Sequence, residues 1–281
     1  MVFKRYTNVE LFKADVLDVL LEEEVQNNLP VSIILNSSKY NSDSWLLSVI
    51  KNDRGEIILV AVCTKPYNVL LYEPADKRHV ASMSLLADEL RRIGFDLPGV
   101  LARSDLAQRF KNAYCKGRGC MVKSSMVLMQ LDELVEYRKA PGFSRLLTED
   151  DLAYVPSWEH EFSVECKLLT NTPDEYRERI RTRLGKDTHF IWEDGQPVAQ
   201  AVHGRDTPNC GVVSWVYTPP QFRGRGYATS VVGELSDSLL SKGKKFCCLF
   251  ADAANPVSRG VYKKLGYYDV CEFDEIIFDI V

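Results

Sequence analysis

The sequence predicts an α/β protein with a mixed sheet, organised as two halves that repeat a similar order of elements. Apolar runs of strand length alternate with segments of helical apolar spacing in both halves. A segment with Pro and Gly, Lys139–Phe143, separates the halves. The length of 281 residues also corresponds to about two domains of ~100–200 residues. We therefore expect domains over residues 1–140 and 141–281.

The first half is predicted from apolar periodicity and turn residues. Its expected elements are a helix over Val9–Leu21, strands over Trp45–Ile50 and Glu56–Thr64 around Asp53–Gly55, a strand over Val69–Tyr72, a helix over His79–Ile93, a strand over Val100–Ala102, a helix over Leu106–Tyr114 and a strand over Met121–Leu131.

The second half carries stronger local signals. Thr148 with Asp151 predicts a capping box that begins a helix, and Pro173 begins another. Asp194-Gly195 is typical of a hairpin turn. The remaining expected elements are strands over His189–Glu193, Val198–His203, Gly211–Tyr217 and Phe246–Ala251, a helix from Tyr227 to a cap at Gly243, a helix from Asn255-Pro256 to Gly266, and closing strands over Tyr267–Asp279.

Composition limits the class of protein. Hydrophobic residues make up 46% and charged residues 26%, which is typical of a folded globular chain. The longest apolar run, near Ile57–Cys63, is much shorter than the ~20 residues that span a bilayer. The first residues show no apolar signal segment. We therefore expect a cytoplasmic protein without a membrane partner.

Charge and metal-ligand chemistry exclude further classes. The 35 basic and 39 acidic residues give a net charge of −4, which disfavours a polynucleotide groove. The eight cysteines include no CxxC pair and the chain has four histidines, so we expect no metal site. Reduced, mostly buried thiols are the expected state of the cysteines.

A glycine-rich turn precedes the helix at Tyr227. In Gln221–Ala228, Gly224 and Gly226 allow a tight turn that exposes backbone N–H groups at a helix N-terminus, and Arg223 and Arg225 add positive charge. This pattern predicts an anion site. It matches neither the dinucleotide fingerprint nor the Walker A motif, and taken alone it also fits a solvated basic turn.

A second motif lies one helix and one strand downstream. Asn255, Ser258, Tyr262, Gly266 and Tyr267 follow the turn at a characteristic spacing. Together the two segments resemble the GNAT superfamily of acyl-CoA-dependent N-acetyltransferases, and the resemblance covers roughly residues 143–281. It implies a GNAT fold there and acetyl-CoA as co-substrate.

The resemblance also implies residue roles. Trp215, Val216 and Tyr217 would pair through their backbone with pantetheine amides. The pyrophosphate motif, which begins at Gln221, would bind through Arg223, Gly224, Arg225, Gly226, Tyr227, Ala228 and Thr229. Asn255 and Ser258 would contact the pantetheine arm or align the short helix. Tyr262 would be the general acid for the departing thiolate, against the alternative that its ring only packs.

The general base and the acceptor stay open. An attacking amine must lose a proton, and Glu161, Glu165, His203 or a bound water could accept it. A small amine, an amino acid, a peptide N-terminus and a lysine side chain are all compatible acceptors.

The first half lacks an equivalent glycine turn. After Val69–Tyr72 the chain reads Glu73-Pro-Ala-Asp-Lys77, whose carboxylates would repel a pyrophosphate. With Lys65–Leu71, this layout resembles predicted acetyltransferases whose N-terminal half is a degenerate GNAT copy. We expect residues 1–140 to lack a cofactor site and to complete the acceptor cleft or support the core; an unrelated α/β domain is the alternative.

The leading hypothesis is direct transfer of an acyl group, in particular acetyl, from acyl-CoA to a primary amine in a ternary complex. Cys247 and Cys248 lie in the middle of a predicted strand and are expected in the core rather than as nucleophiles. A non-catalytic acyl-CoA sensor and a nucleotide-binding scaffold are the alternatives. The expected partner is a small-molecule or peptide amine, not a nucleic acid.

Overall fold

The computed structural model describes residues 1–77, 79–117 and 119–279. The chain folds into two compact units. Unit 1 comprises Met1–Leu128 together with the segment from Val270, and unit 2 comprises Met129–Asp269.

The elements follow one another in a mixed order of strands and helices. The earlier ones are β1 (Val2–Tyr6), α1 (Val9–Leu21), α2 (Asn28–Leu35), β2 (Leu46–Lys51), β3 (Ile57–Cys63), β4 (Val69–Tyr72), α3 (Val80–Arg92), β5 (Gly99–Arg103), α4 (Ser104–Cys115) and β6 (Cys120–Leu131). The later ones are β7 (Phe143–Leu146), α5 (Val155–Glu165), α6 (Pro173–Arg181), β8 (His189–Glu193), β9 (Pro197–Asp206), β10 (Cys210–Tyr217), α7 (Tyr227–Ser241), β11 (Phe246–Asp252), α8 (Pro256–Lys263) and β12 (Tyr268–Phe278).

Unit 1 is a sheet covered by helices on both faces. Its strand order is β1-β2-β3-β4-β5-β12, with β6 beside β12. The pair β4/β5 is parallel and is connected through α3, whereas β5 and β12 run antiparallel. Side chains of α3 and α4 pack on one face and those of α1 and α2 on the other. This arrangement explains why β3 is apolar at every position.

Unit 2 repeats the parallel crossover. Its strand order is β11-β10-β9-β8-β7, in which β10 and β11 are parallel and the other neighbours are antiparallel. Helix α7 connects β10 to β11 and buries Val231, Val232 and Leu235. Helices α5 and α6 share a core with β8 and β10 that contains Tyr176, Ile180 and Ile191.

Most predicted elements are confirmed within a few residues, and the differences have physical causes. The sequence missed β1 and β7 because few of their side chains are buried, so no apolar alternation marks them. It missed α2 as well. The closing strands are one strand, β12. The capping box at Thr148 begins a short 3₁₀ helix over Glu149–Ala153, and α5 begins only at Val155.

The segment predicted as the junction is anchored within unit 2. The N–H of Ala140 donates to Ser230 Oγ at 2.8 Å, and the Pro141 carbonyl accepts from Trp192 Nε1 at 2.8 Å. The division into 1–140 and 141–281, which rests on the Pro and Gly of this segment, stays a prediction. In the part of the chain that the structure describes, no helix is both long and apolar enough to cross a membrane.

A buried carboxylate links β7 to the start of the α5 region. Asp151 is fully buried and accepts hydrogen bonds from Arg145 at 2.7 and 2.8 Å and from the N–H of Thr148 at 2.7 Å. Burial opposes ionisation, but these bonds hold the pKa of Asp151 below its usual value. The stability that the carboxylate contributes is therefore present above about pH 4 and is lost as pH falls further.

We expect Arg145→Met to lower the free energy of unfolding by about 3 kcal/mol, because it leaves the Asp151 charge buried without its cation. Urea denaturation at pH 7 measures this effect. Arg181→Met is the matched control: Arg181 pairs with the exposed carboxylates of Glu149 and Glu178, so its removal should cost less than about 1 kcal/mol. Equal losses in the two variants would contradict the role of the buried pair.

Candidate active site

A cavity opens where β10 and β11 separate. The two strands pair only from Cys210 to Val212, although both continue beyond that point. The cavity between them has a volume of about 1080 Å³. Its walls come from the end of α5, strands β10 and β11, the turn before α7, and α8.

Most predicted site residues line this cavity. They are Trp215, Val216, Tyr217, Arg223, Gly224, Gly226, Tyr227, Ala228, Thr229, Asn255, Ser258 and Tyr262. Gln221 and Arg225 are not among the lining residues: Gln221 lies in the short 3₁₀ helix Pro220–Phe222, and Arg225 is exposed in the turn.

Strand β10 bulges beside the cavity. Ser214 lies opposite Val202 and Tyr217 opposite Gln200, so Trp215 and Val216 face a single residue of β9. Trp215 has φ +51°, a conformation that a bulky side chain rarely adopts. A bulge leaves backbone groups outside the sheet ladder. The backbone of Trp215 and Val216 therefore leaves the regular ladder at the cavity wall, where the Trp215 carbonyl accepts from Gln200 Nε2 at 3.3 Å.

The glycine turn adopts the conformation that its sequence predicts. Gly224 and Gly226 have φ of +78° and +88°, and Gly226 is the N-cap of α7. A glycine cap offers no side-chain acceptor, so the first N–H groups of α7 remain available at the cavity. The turn is fixed by Tyr227, whose hydroxyl donates to Asp194 Oδ2 at 2.5 Å.

Arg223 is already paired in this structure. Its guanidinium donates to both oxygens of Glu165 at 2.7 and 2.9 Å and to the Thr218 carbonyl at 2.8 Å. It also lies over the ring of Tyr217, 5.6 Å from the centroid. An anion that binds at the turn would therefore compete with Glu165 for Arg223.

We expect Glu165→Gln to tighten CoA binding by about two- to fivefold, because the substitution removes the carboxylate that competes with the ligand for Arg223. Isothermal titration calorimetry measures the change. Glu161→Gln is the matched control, because the Glu161 carboxylate accepts from the Tyr217 hydroxyl at 2.6 Å and has no hydrogen bond with Arg223. An affinity for CoA that stays the same or falls in Glu165→Gln would contradict the competition.

Helix α8 places its motif residues by local capping. The Asn255 side chain accepts from the N–H of Ser258 at 3.1 Å, as its N-cap position predicts, and Ser258 Oγ donates to the Asn255 carbonyl at 2.9 Å. These bonds support the predicted role of Asn255 and Ser258 in aligning helix α8. They also bring Tyr262, one turn after Ser258, to the same cavity.

Tyr262 is 8% exposed and lines the cavity. Burial raises the pKa of its hydroxyl, and the nearby Cys166 thiol adds to the effect. The phenol therefore keeps its proton throughout the neutral range. Cys166 is exposed as a whole, but desolvation of its sulfur raises the pKa of the thiol to about 11, so it is protonated at neutral pH.

The candidate bases are differently placed. Glu165 lines the cavity and is paired with Arg223, whereas Glu161 holds the Tyr217 hydroxyl. His203 is absent from the described lining; its Nε2 lies 3.5 Å from Asp206, and burial lowers its pKa. The base stays unassigned.

The structure adds lining residues that sequence reasoning did not select. They include Phe162, Cys166, Leu168, Asp252, Val257, Gly260, Val261 and Lys264. Those on α8 and at its end follow the helical spacing from Asn255, so the helix periodicity could have identified them. Nothing in the local sequence marks Phe162 or Cys166, because their position depends on the packing of α5 against β10.

The corresponding turn of unit 1 is filled by the protein itself. Glu73 follows β4 and is 1% exposed; its carboxylate accepts from Arg109 at 2.5 and 3.0 Å. It also accepts from the N–H of His79, the residue before α3, at 3.1 Å. A carboxylate therefore lies at the helix N-terminus where an anionic ligand would bind.

No group of histidine, cysteine or acidic side chains within residues 1–77, 79–117 and 119–279 could hold a metal ion. The described cysteines are free thiols, and Cys247 and Cys248 are buried in β11.

Comparisons with known proteins agree with this architecture. A family model described as FR47-like protein matches residues 194–274. A protein named acetyltransferase from Pectobacterium atrosepticum is 28% identical over 129 residues, which cover 45% of this chain and 87% of that protein. The FR47-like match falls on the part of the chain that contains the cavity. The match to the Pectobacterium protein covers less than half of the chain.

Solved structures match over nearly the full length. A GCN5-related N-acetyltransferase from Sphaerobacter thermophilus aligns with a TM-score of 0.67 at 14% identity, covering 98% of this chain and 95% of that chain. A tandem GNAT protein from the clavulanic acid biosynthesis pathway aligns with a TM-score of 0.59 at 13% identity, covering 99% and 98%. The chain has the GNAT fold, which confirms the predicted fold class. Its resemblance to GNAT acetyltransferases is likewise confirmed, and residues 194–274 are similar to FR47-like proteins.

Proposed function

We propose that the protein transfers an acetyl group from acetyl-CoA to a primary amine, and that the cavity of unit 2 binds both reacting groups. One observation carries the proposal: a single cavity joins the open N-terminus of α7, the bulged backbone at Trp215 and the buried hydroxyl of Tyr262. An anion site, exposed strand amides and a proton donor are the groups that a thioester of this kind requires.

Each group of residues has a separate role in the proposed reaction. The first N–H groups of α7 bind the pyrophosphate, and the backbone of Trp215 and Val216 pairs with the amides of the pantetheine arm. The amine nitrogen forms a bond to the thioester carbonyl carbon as the carbon–sulfur bond breaks. Tyr262 Oη donates its proton to the leaving sulfur, and a water or a carboxylate takes the proton that the amine releases.

Unit 1 is proposed to bind no cofactor, because the Glu73 carboxylate lies at the N-terminus of α3. Acetyl-CoA binding therefore resides within residues 141–281 in this proposal. We also propose a cytoplasmic location, where acetyl-CoA is available.

The experiment is a mass-spectrometric screen of amine products formed from acetyl-CoA, with small amines, amino acids and peptides as acceptors. Calorimetry with CoA accompanies it. Acetylated product from at least one acceptor class is the expected result. CoA binding without turnover across all classes would favour the acyl-CoA sensor, and no CoA binding would overturn the proposal.

A further inference from the structure

A buried polar chain reaches the bulge of β10 from the neighbouring strands. His189 and Gln200 are both fully buried, and His189 Nε2 lies 3.2 Å from Gln200 Oε1. Gln200 Nε2 in turn donates to the Trp215 carbonyl at 3.3 Å. The chain therefore ends on the residue with the unusual backbone conformation.

Chemistry fixes the direction of these bonds. The Trp215 carbonyl can only accept, so the Gln200 amide nitrogen must face it and Oε1 must face His189. His189 must then donate from Nε2. Burial lowers the pKa of His189 to about 3, so across the physiological range the ring is neutral, with its proton on Nε2 and Nδ1 unprotonated.

A second contact holds the indole of the same residue. The Arg179 guanidinium lies 4.3 Å from the centroid of the Trp215 ring, and the Phe162 ring lies 5.0 Å from it. Arg179 is itself fixed by Glu159, a fully buried carboxylate that accepts from it at 2.5 Å. Two separate networks therefore act on Trp215, one on its carbonyl and one on its ring.

We propose that Gln200 and Arg179 are positioning residues that hold Trp215 in the left-handed bulge and so keep the backbone of residues 215–216 available to the pantetheine arm. A bulky residue at positive φ persists only where its surroundings favour it over the extended conformation. Without these contacts β10 would relax toward a regular strand, and its amides would pair with β9. The inference rests on the proposed function, since it assigns this backbone to the cofactor.

The binding test compares two ligands. Gln200→Met keeps the size of the side chain and removes both hydrogen bonds. We expect it to weaken CoA binding by about tenfold or more, with the affinity for 3′-phosphoadenosine 5′-diphosphate, which lacks the arm, unchanged within about twofold. The matched control is Ser236→Ala, which removes a buried hydroxyl that donates to the Val232 carbonyl at 2.8 Å, away from the bulge. It should leave both affinities unchanged.

The conformational test needs no ligand. In protein labelled with 5-fluorotryptophan, the fluorine resonance of Trp215 is assigned by its loss in Trp215→Phe. It should move in Gln200→Met and in Arg179→Met but not in Ser236→Ala. Arg179→Met leaves Glu159 paired with Arg183. If Gln200→Met does not fold, Arg179→Met is used in its place in both tests.

The outcomes separate the two proposals. A Trp215 resonance that does not move overturns the positioning role, and so does equal weakening of CoA and of the fragment. A resonance that moves without loss of CoA affinity overturns the link to the pantetheine arm. A wild-type protein that binds no CoA overturns the proposed function, while the resonance still decides whether these residues position the bulge.

Discussion

Tyr262→Phe is expected to lower kcat by about 10²–10⁴ while CoA affinity stays within about twofold of the wild type. The substitution keeps the ring and its packing, and it removes only the proton that the leaving thiolate would receive. Tyr262 lines the cavity, and the raised pKa of its hydroxyl arises from burial and from Cys166 rather than from a hydrogen bond. Steady-state kinetics with an acceptor from the product screen, together with calorimetry, measures both quantities.

Tyr267→Phe is the matched control for this loss. Tyr267 is also buried, its ring centroid lies 6.0 Å from that of Tyr262, and its hydroxyl bonds with Ser236 Oγ at 2.9 Å rather than facing the cavity. Its removal should reduce stability with kcat nearly unchanged. If Tyr262→Phe keeps full turnover where chemistry limits the rate, Tyr262 only packs and another group protonates the thiolate.

Local signals explain why so much of the fold could be predicted. Gly224 and Gly226 permit the positive φ that the turn requires, and Asn255-Pro256 starts a helix by capping, so both features depend on residues close in sequence. Prediction of this kind works because glycine conformations and caps are local properties of the chain.

Features that depend on distant packing could not be read in the same way. The strand β12 pairs with β5, far earlier in the chain, and nothing near Phe273 indicates that partner. The residue with positive φ at the bulge is Trp215 rather than a glycine, so the sequence gives no signal of the bulge. The pairing of Arg223 with Glu165 joins two segments that are separated in the chain by a helix and three strands. For this reason the sequence predicted the glycine turn but could not show that Arg223 is already paired with Glu165.

Gly224→Val is expected to weaken CoA binding by at least about 100-fold, the equivalent of losing about two charge-assisted hydrogen bonds to the pyrophosphate. A Cβ added at Gly224 meets no protein atom within 4 Å, and the residue lines the cavity. The new side chain would therefore obstruct the ligand rather than the protein. Calorimetry with CoA measures the loss.

Backbone strain is the competing explanation for such a loss, and the same helix provides the control. Gly243 follows the C-terminal end of α7 with φ +95°, and a Cβ added there also meets nothing within 4 Å. Gly243→Val therefore imposes a comparable conformational cost at a position outside the described cavity lining. If strain alone were responsible, both variants would lose stability and CoA affinity together. If the turn binds the pyrophosphate, both lose stability but only Gly224→Val loses CoA, and unchanged CoA affinity in Gly224→Val would remove this turn from the cofactor site.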